Sequence, residues 1–290
     1  MTTAGTPPDR TAGDLGNIVE LGHVNLRVPD QRLATLFYVT GLGLTRDPYM
    51  MTGIDNMWVN AGRTQFHLPT GTPQVLRGVI GLVLPDLDAV QSRLAAAAPL
   101  LVGTRHAAAR AGDVLDVTCP WGNRLRCHAP SGDGMPLGIA YVAFDVPPGS
   151  VAAIVDFYVA VLGARAHVTA DGAAHVTAGD GQALIFAPSD RPAPAFDGHH
   201  VQVTFADFSG PHRRLAERGL ITREDDTHQY RFADLVDPAS GRVLFTVEHE
   251  VRSMRHPMFG RPLVNRNPSQ SNRHYRAGCD AFIPSAPASA

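Results

Sequence analysis

A chain of 290 residues with 44% hydrophobic and 18% charged residues and a formal net charge of −2 has the balance expected of a soluble globular protein. That length is long for one core and suits two domains of about 110 to 120 residues each. The charge offers no electrostatic footprint for nucleic acid, and no apolar run approaches the roughly 20 residues that cross a bilayer, so neither nucleic acid nor membrane is an expected partner.

In chain order, Met1 to Gly16 is polar, contains Gly and Pro, and lacks the apolar core of a signal peptide. We expect residues 1–17 to be a flexible tail and the protein to be cytoplasmic. Gly22 to Pro29 alternates Val24, Leu26 and Val28, as a half-buried strand does. Asp30 can cap a following helix that buries Leu33, Leu36, Phe37 and Tyr38. Short strands are expected near 45–50, 57–60 and 64–68. The pattern restarts at Val79-Ile-Gly-Leu-Val-Leu-Pro85-Asp86, with a helix over 87–97 and strands near 101–104, 114–118 and 124–127. A third copy runs through a strand over 139–146, a helix over 151–162 and strands near 166–169, 174–177 and 183–186. The fourth opens at His199-His-Val-Gln-Val-Thr-Phe205, with a helix over 210–218 and strands near 230–235 and 243–248.

The two halves repeat each other. His23-Val-Asn-Leu-Arg-Val-Pro29 returns as Tyr141-Val-Ala-Phe-Asp-Val-Pro147 at a spacing of 118, and Phe37-Tyr-Val39 returns as Phe157-Tyr-Val159 at 120. So long a period implies duplicated domains, not a solenoid. We read an α+β chain of four βαβββ modules paired into two domains, 18–132 and 136–252, each a curved mixed sheet around a cavity. Residues 253–290 form a C-terminal extension, an arm anchored by Asn265 and Arg266. Cys119, Cys127 and Cys279 are odd in number and lack metal-ligand spacing, so reduced thiols are expected.

The four-module layout, the phrase from His23 through Leu36-Phe-Tyr-Val39 to Gly41-Leu-Gly43, and the Asp237-Pro-Ala-Ser-Gly241 turn resemble the vicinal oxygen chelate superfamily. That group includes glyoxalase I, bleomycin and fosfomycin resistance proteins and extradiol dioxygenases. The resemblance covers about four fifths of the chain and implies a divalent metal held by residues from the first and last strands of paired modules, often a Glu four residues after the turn Gly. In 136–252 the first-strand position is Tyr141, the residue four past Gly241 is Phe245, and His200 matches the extradiol pattern. In 18–132, His23 holds the first-strand position, while His67 and His128 hold corresponding places in last strands. Val79 and Arg126 stand where further ligands would be expected.

Two readings of the cavity follow. His23, His67 and His128 form a site for Fe(II), Mn(II) or Zn(II); or there is no metal, and Arg126 with His23, Asn25 and Gln65 grips an anionic or polar ligand. Trp121 can cover the mouth, and Tyr141 is a further substrate contact. In an extradiol layout His200 would take up protons, with Tyr230 as a polar partner. The expected function is a metal-dependent enzyme acting on a small polar or aromatic molecule, closest to extradiol dioxygenases. The alternatives are a metal-free binding protein or a glyoxalase-like lyase or isomerase. A homo-oligomer is expected.

Overall fold

Each apolar strand phrase of the sequence becomes the first strand of a βαβββ module in the computed structural model, which describes residues 9–50, 53–132, 134–192, 194–266 and 273. Module 1 comprises β1 (Ile18–Asn25), a helix that begins as α1 (Gln31–Ala34) and continues with π geometry over Thr35–Gly41, β2 (Thr45–Arg46), β3 (Asn56–Ala61) and β4 (Thr64–Pro69). Module 2 comprises β5 (Gly78–Val83), α2 (Leu87–Ala97), β6 (Ala107–Ala111), β7 (Val114–Thr118) and β8 (Arg124–His128). Module 3 comprises β9 (Gly138–Val146), α3 (Val151–Ala160), β10 (Ala166–Val168), β11 (Ala174–Gly179) and β12 (Gln182–Pro188). Module 4 comprises β13 (His200–Phe205), α4 (Ser209–Ala216), β14 (Ile221–Asp226), β15 (Gln229–Val236) and β16 (Val243–Ser253).

The Asp30 carboxylate caps the first helix by accepting from the amides of Arg32 and Leu33, and Asp86 caps α2 through Ala89. The strand expected at 101–104 is a turn in which Thr104 bonds back to the Leu101 carbonyl; the edge strand forms later, as β6. β14, not anticipated from the sequence, completes module 4.

The modules pair differently from their order along the chain. One eight-stranded sheet runs β14-β15-β16-β13-β1-β4-β3-β2 and joins module 4 to module 1. The other runs β10-β11-β12-β9-β5-β8-β7-β6 and joins module 3 to module 2. The central seams are antiparallel, β1 against β13 and β5 against β9. Modules 1 and 2, and modules 3 and 4, meet instead through helical packing, helix against helix in the first case and helix against sheet in the second. Arg93 of α2 donates to the Gly41 and Leu42 carbonyls at the end of the first helix, and Tyr158 of α3 reaches His249 of β16. The expected pairing of neighbours within 18–132 and within 136–252 is therefore corrected: those neighbours share helical packing, and sheets form between outer modules and between inner ones.

Alternation along each strand sorts the two faces. In the first sheet Val59, Phe66, Val24, Val201, His249 and Phe232 stand in register on the helix-covered face, all fully buried. The opposite, inner face is polar. Cys119 and Cys127 are free and buried; Cys279 lies outside the described residues. Among the described residues no helix is long and apolar enough to cross a membrane.

Both ends of the described chain are tied down. In the N-terminal segment the carbonyls of Thr11 and Asp14 accept from Arg165 at 2.8 and 2.5 Å. Beyond β16 the chain turns back over module 1. Asn265 accepts from the Gly62 amide and donates to its carbonyl, and the Arg266 amide donates to Thr45 Oγ1. Gly62 turns β3 into β4 with φ of 62°, and a side chain there would run into the Leu137 carbonyl, so only glycine suits it.

Candidate metal centre

Ladder register lays the inner face of the first sheet out in two rows. The first reads Trp58, His67, Asn25, His200, Glu248 across β3, β4, β1, β13 and β16. The second reads Asn60, Gln65, His23, Gln202, Glu250, Arg231 and ends on β15. Residues in register share a face and nearly touch. The two rows therefore bring three imidazoles and a carboxylate together from four strands. One ligand atom each from His23, His67 and His200 lie within 4.8 Å of one another. Glu250 joins them, with Oε2 at 3.4 Å from His200 Nε2 and Oε1 at 4.0 Å from His23 Nε2.

This cluster is almost dry: His23 is 1% exposed, His200 7% and Glu250 3%. The Nε2 atoms of His23 and His200 have no hydrogen-bond partner. Unpaired buried polar atoms are costly. Two ring nitrogens converging on a carboxylate are what a cation would satisfy. Burial holds the His23 imidazole far below its usual range, with the neighbouring charges of Arg252, His200 and His67 adding to it. Burial and His200 bring His67 down to about 3, so both rings are neutral and available as ligands. Burial alone would raise the Glu250 carboxyl; contact with His200 and the charge of Arg252 outweigh it and keep the group ionised.

A supporting shell fixes these groups. Asn56 Oδ1 lies 2.7 Å from His67 Nε2, and the Trp58 indole stacks on the His67 ring at 3.9 Å while meeting His23 edge-on at 5.0 Å. Glu248 Oε1 sits 3.3 Å from His200 Nδ1, which favours a proton on Nδ1 and a lone pair on Nε2. Arg231 spans Glu248 and Glu250 at 2.7 and 2.5 Å, and an Arg252 nitrogen lies 2.7 Å from Glu250 Oε1. The donor set is three imidazoles and one carboxylate, which suits a divalent first-row ion.

The other sequence candidates are distributed as follows. Asn25 lies between His67 and His200 in the first row, 5% exposed, with Oδ1 unpaired. Gln65 is beside His23 and donates to Asp47 and Asn60. His128 lies on β8 in the second sheet, where its Nε2 meets Tyr141 Oη at 3.0 Å. It is not a neighbour of His23, because module 2 does not share a sheet with module 1. Tyr141 packs over Gly81 at the seam of the second sheet, filling the space that the histidine cluster occupies in the first. Arg126 is exposed and tied to Asp116 at 2.8 Å, which removes the anionic grip expected with His23. Trp121 lines a separate cleft of about 510 Å³ with Arg105 and Val75. Tyr230 faces away from Arg231 toward Phe208 and His212 and bonds the Phe208 carbonyl.

Arg231 and Arg252 were not among the candidates read from sequence, and Glu248 and Glu250, which lie further along the last strand than the expected Phe245, could serve there only through a bulge, with Glu248 at the wrong strand parity. The signal was present: Glu248, Glu250 and Arg252 alternate with the buried Val247, His249 and Val251. Counting four residues from Gly241 led instead to Phe245, on the helix face. β16 is 11 residues long, and its ladder with β15 is irregular at two points, so distance from the turn does not locate the ligand.

Solved structures share this architecture. The chain has the vicinal oxygen chelate fold. A Bacillus subtilis subsp. subtilis str. 168 protein considered a dioxygenase superposes with a TM-score of 0.54 at 15% identity, over 83% of this chain and 87% of that one. Glyoxalase I from Zea mays gives 0.54 at 14% identity, over 81% and 92%. No protein-family model and no curated protein matches the sequence. Among the described residues, the one group of three or more side chains placed to share a metal ion, His23, His67 and His200, lies between modules 1 and 4.

Proposed function

We propose that the chain is a metal-dependent vicinal oxygen chelate enzyme acting on a small polar or aromatic molecule. His23, His67, His200 and Glu250 hold one divalent ion, Fe(II) or Mn(II) in preference to Zn(II). The observation that carries this reading is the convergence of the unpaired Nε2 atoms of His23 and His200 on the two oxygens of the Glu250 carboxylate, at 4.0 Å from Oε1 and 3.4 Å from Oε2 respectively. The ion would supply Lewis acidity to substrate oxygens.

The chain's own residues do the rest. Asn25 presents an unpaired amide oxygen between two of the ligands and accepts a hydrogen bond from a substrate hydroxyl. Trp58 offers an indole beside His67 and His23 as a wall for a planar substrate. Arg231 and Arg252 keep Glu250 anionic and aimed, and Glu248 keeps His200 in the metal-binding tautomer. Dioxygenase and lyase or isomerase chemistry both suit such a centre.

The test is metal analysis of protein purified without a metal-scavenging tag and reconstituted anaerobically with Fe(II) or Mn(II). One ion per chain is expected, lost in His200→Ala. Oxygen uptake with catechols then separates ring cleavage from the other chemistries. Absence of stoichiometric metal after reconstitution would leave a metal-free small-molecule binder.

A further inference from the structure

Residues 254–266 leave the last strand of module 4 and cross to the edge of module 1 on the polar side of the first sheet. Arg252, the next inner-face residue after Glu250, donates to Met258 Sδ at 3.6 Å. Farther on, Arg261 meets Asp47 at 2.6 and 3.4 Å. Asp47 is buried and also takes the side-chain amide of Gln65, the ladder neighbour of His23. The Val264 carbonyl accepts from Asn60, and Asn265 closes on both polar groups of Gly62. The segment is therefore fastened to Arg252, two residues past Glu250 on the same strand, and to Asn60 at the module 1 end of the row that carries His23 and Glu250.

We propose that residues 254–266 are the roof of this centre and that Arg261 is the positioning residue that keeps it shut, so that ligand and metal pass only when the Arg261–Asp47 pair opens. The pair is the one charged fastening of the segment to module 1 among the described residues; the others on that side are neutral hydrogen bonds. A two-point guanidinium–carboxylate contact on a buried acid is stronger than these. The role in metal passage rests on the metal-centre reading; the role as a cover does not.

The chain has two tryptophans, and Trp58, stacked on His67, reports from beneath the roof. In a Trp121→Phe background, adding Arg261→Met should raise acrylamide quenching of Trp58 about threefold or more. It should also speed release of bound Co(II) to a chelator about tenfold at unchanged stoichiometry, in line with the loss of a charged hydrogen-bond pair. Asn265→Ala should shift both in the same direction and carries the test if Arg261→Met fails to fold. Unchanged quenching, in a variant whose Gly62 and Arg266 amides exchange faster with solvent, would overturn the proposal. Raised quenching in a chain that takes up no metal would refute the metal reading and leave the roof standing.

Discussion

Glu250 occupies in module 4 the ladder position that His67 occupies in module 1. Each lies in parallel register with the residue two past a first-strand histidine: His67 with Asn25 after His23, Glu250 with Gln202 after His200. The pseudo-twofold relation makes the four side chains one set, so removing any one should act on the same property. Glu250→Gln, His23→Ala, His67→Ala and His200→Ala should each weaken Co(II) binding by at least about a hundredfold. His128→Ala and Arg126→Ala should leave it within about twofold, since both side chains lie on the other sheet. Titration by visible absorption reads all six, and tight binding by Glu250→Gln would remove the carboxylate from the set.

Asn56 acts one shell out. Its oxygen holds the His67 ring at Nε2, so Asn56→Leu should lower metal affinity about 10- to 100-fold with little change in thermal midpoint. A large loss of stability with unchanged affinity would mean that Asn56 serves the β3 strand alone.

Acid should destabilise the metal-free protein before its carboxylates titrate. His67 at about 3 and His249 at about 4 are held low by burial, whereas the unfolded chain protonates near pH 6.5. Between those values the unfolded state binds more protons. Stability is therefore full above about pH 6.5 and falls as pH drops toward the folded values, on the order of 2 kcal/mol per buried histidine by pH 5. Urea midpoints measured from pH 7.5 to 5 should show this slope, and His249→Leu should flatten it. An unchanged slope in that variant would exclude His249 as a contributor.

On the helix side, His249 Nε2 meets Tyr158 Oη at 2.7 Å, and its ring stacks on Phe232 at 4.5 Å. Tyr158→Phe leaves a buried nitrogen unpaired and should cost about 1–3 kcal/mol in denaturant unfolding, with metal stoichiometry intact. A loss of metal on this substitution would show that the strand carrying Glu250 depends on the Tyr158 contact for its register.

Much of this was readable in the residues. Alternation at Val24, Leu26 and Val28 and the Asp30 and Asp86 caps marked strands and helices, because those patterns are local. His23 and His67 were recognisable from their places in module 1. His128 was drawn in by module similarity, which says which segments are alike but not which edges meet. β1 and β5 both offer an open antiparallel edge, and the choice of β13 for β1 is made by tertiary packing. Glu250 could be named only as a residue that a bulge would bring into place, because two ladder irregularities separate it from its turn. Arg231 escaped because its role exists only across the β15–β16 ladder.

Pairing the first module with the last has a consequence for synthesis. His23 and His67 emerge early, and their partners His200 and Glu250 are made near the end of translation. The nascent first sheet must wait with an exposed edge at β1 while the inner pair of modules folds between its halves. No fragment lacking either terminal module can bring His23, His67, His200 and Glu250 together, so any proteolytic cut that lets one outer module drift away disperses them at once.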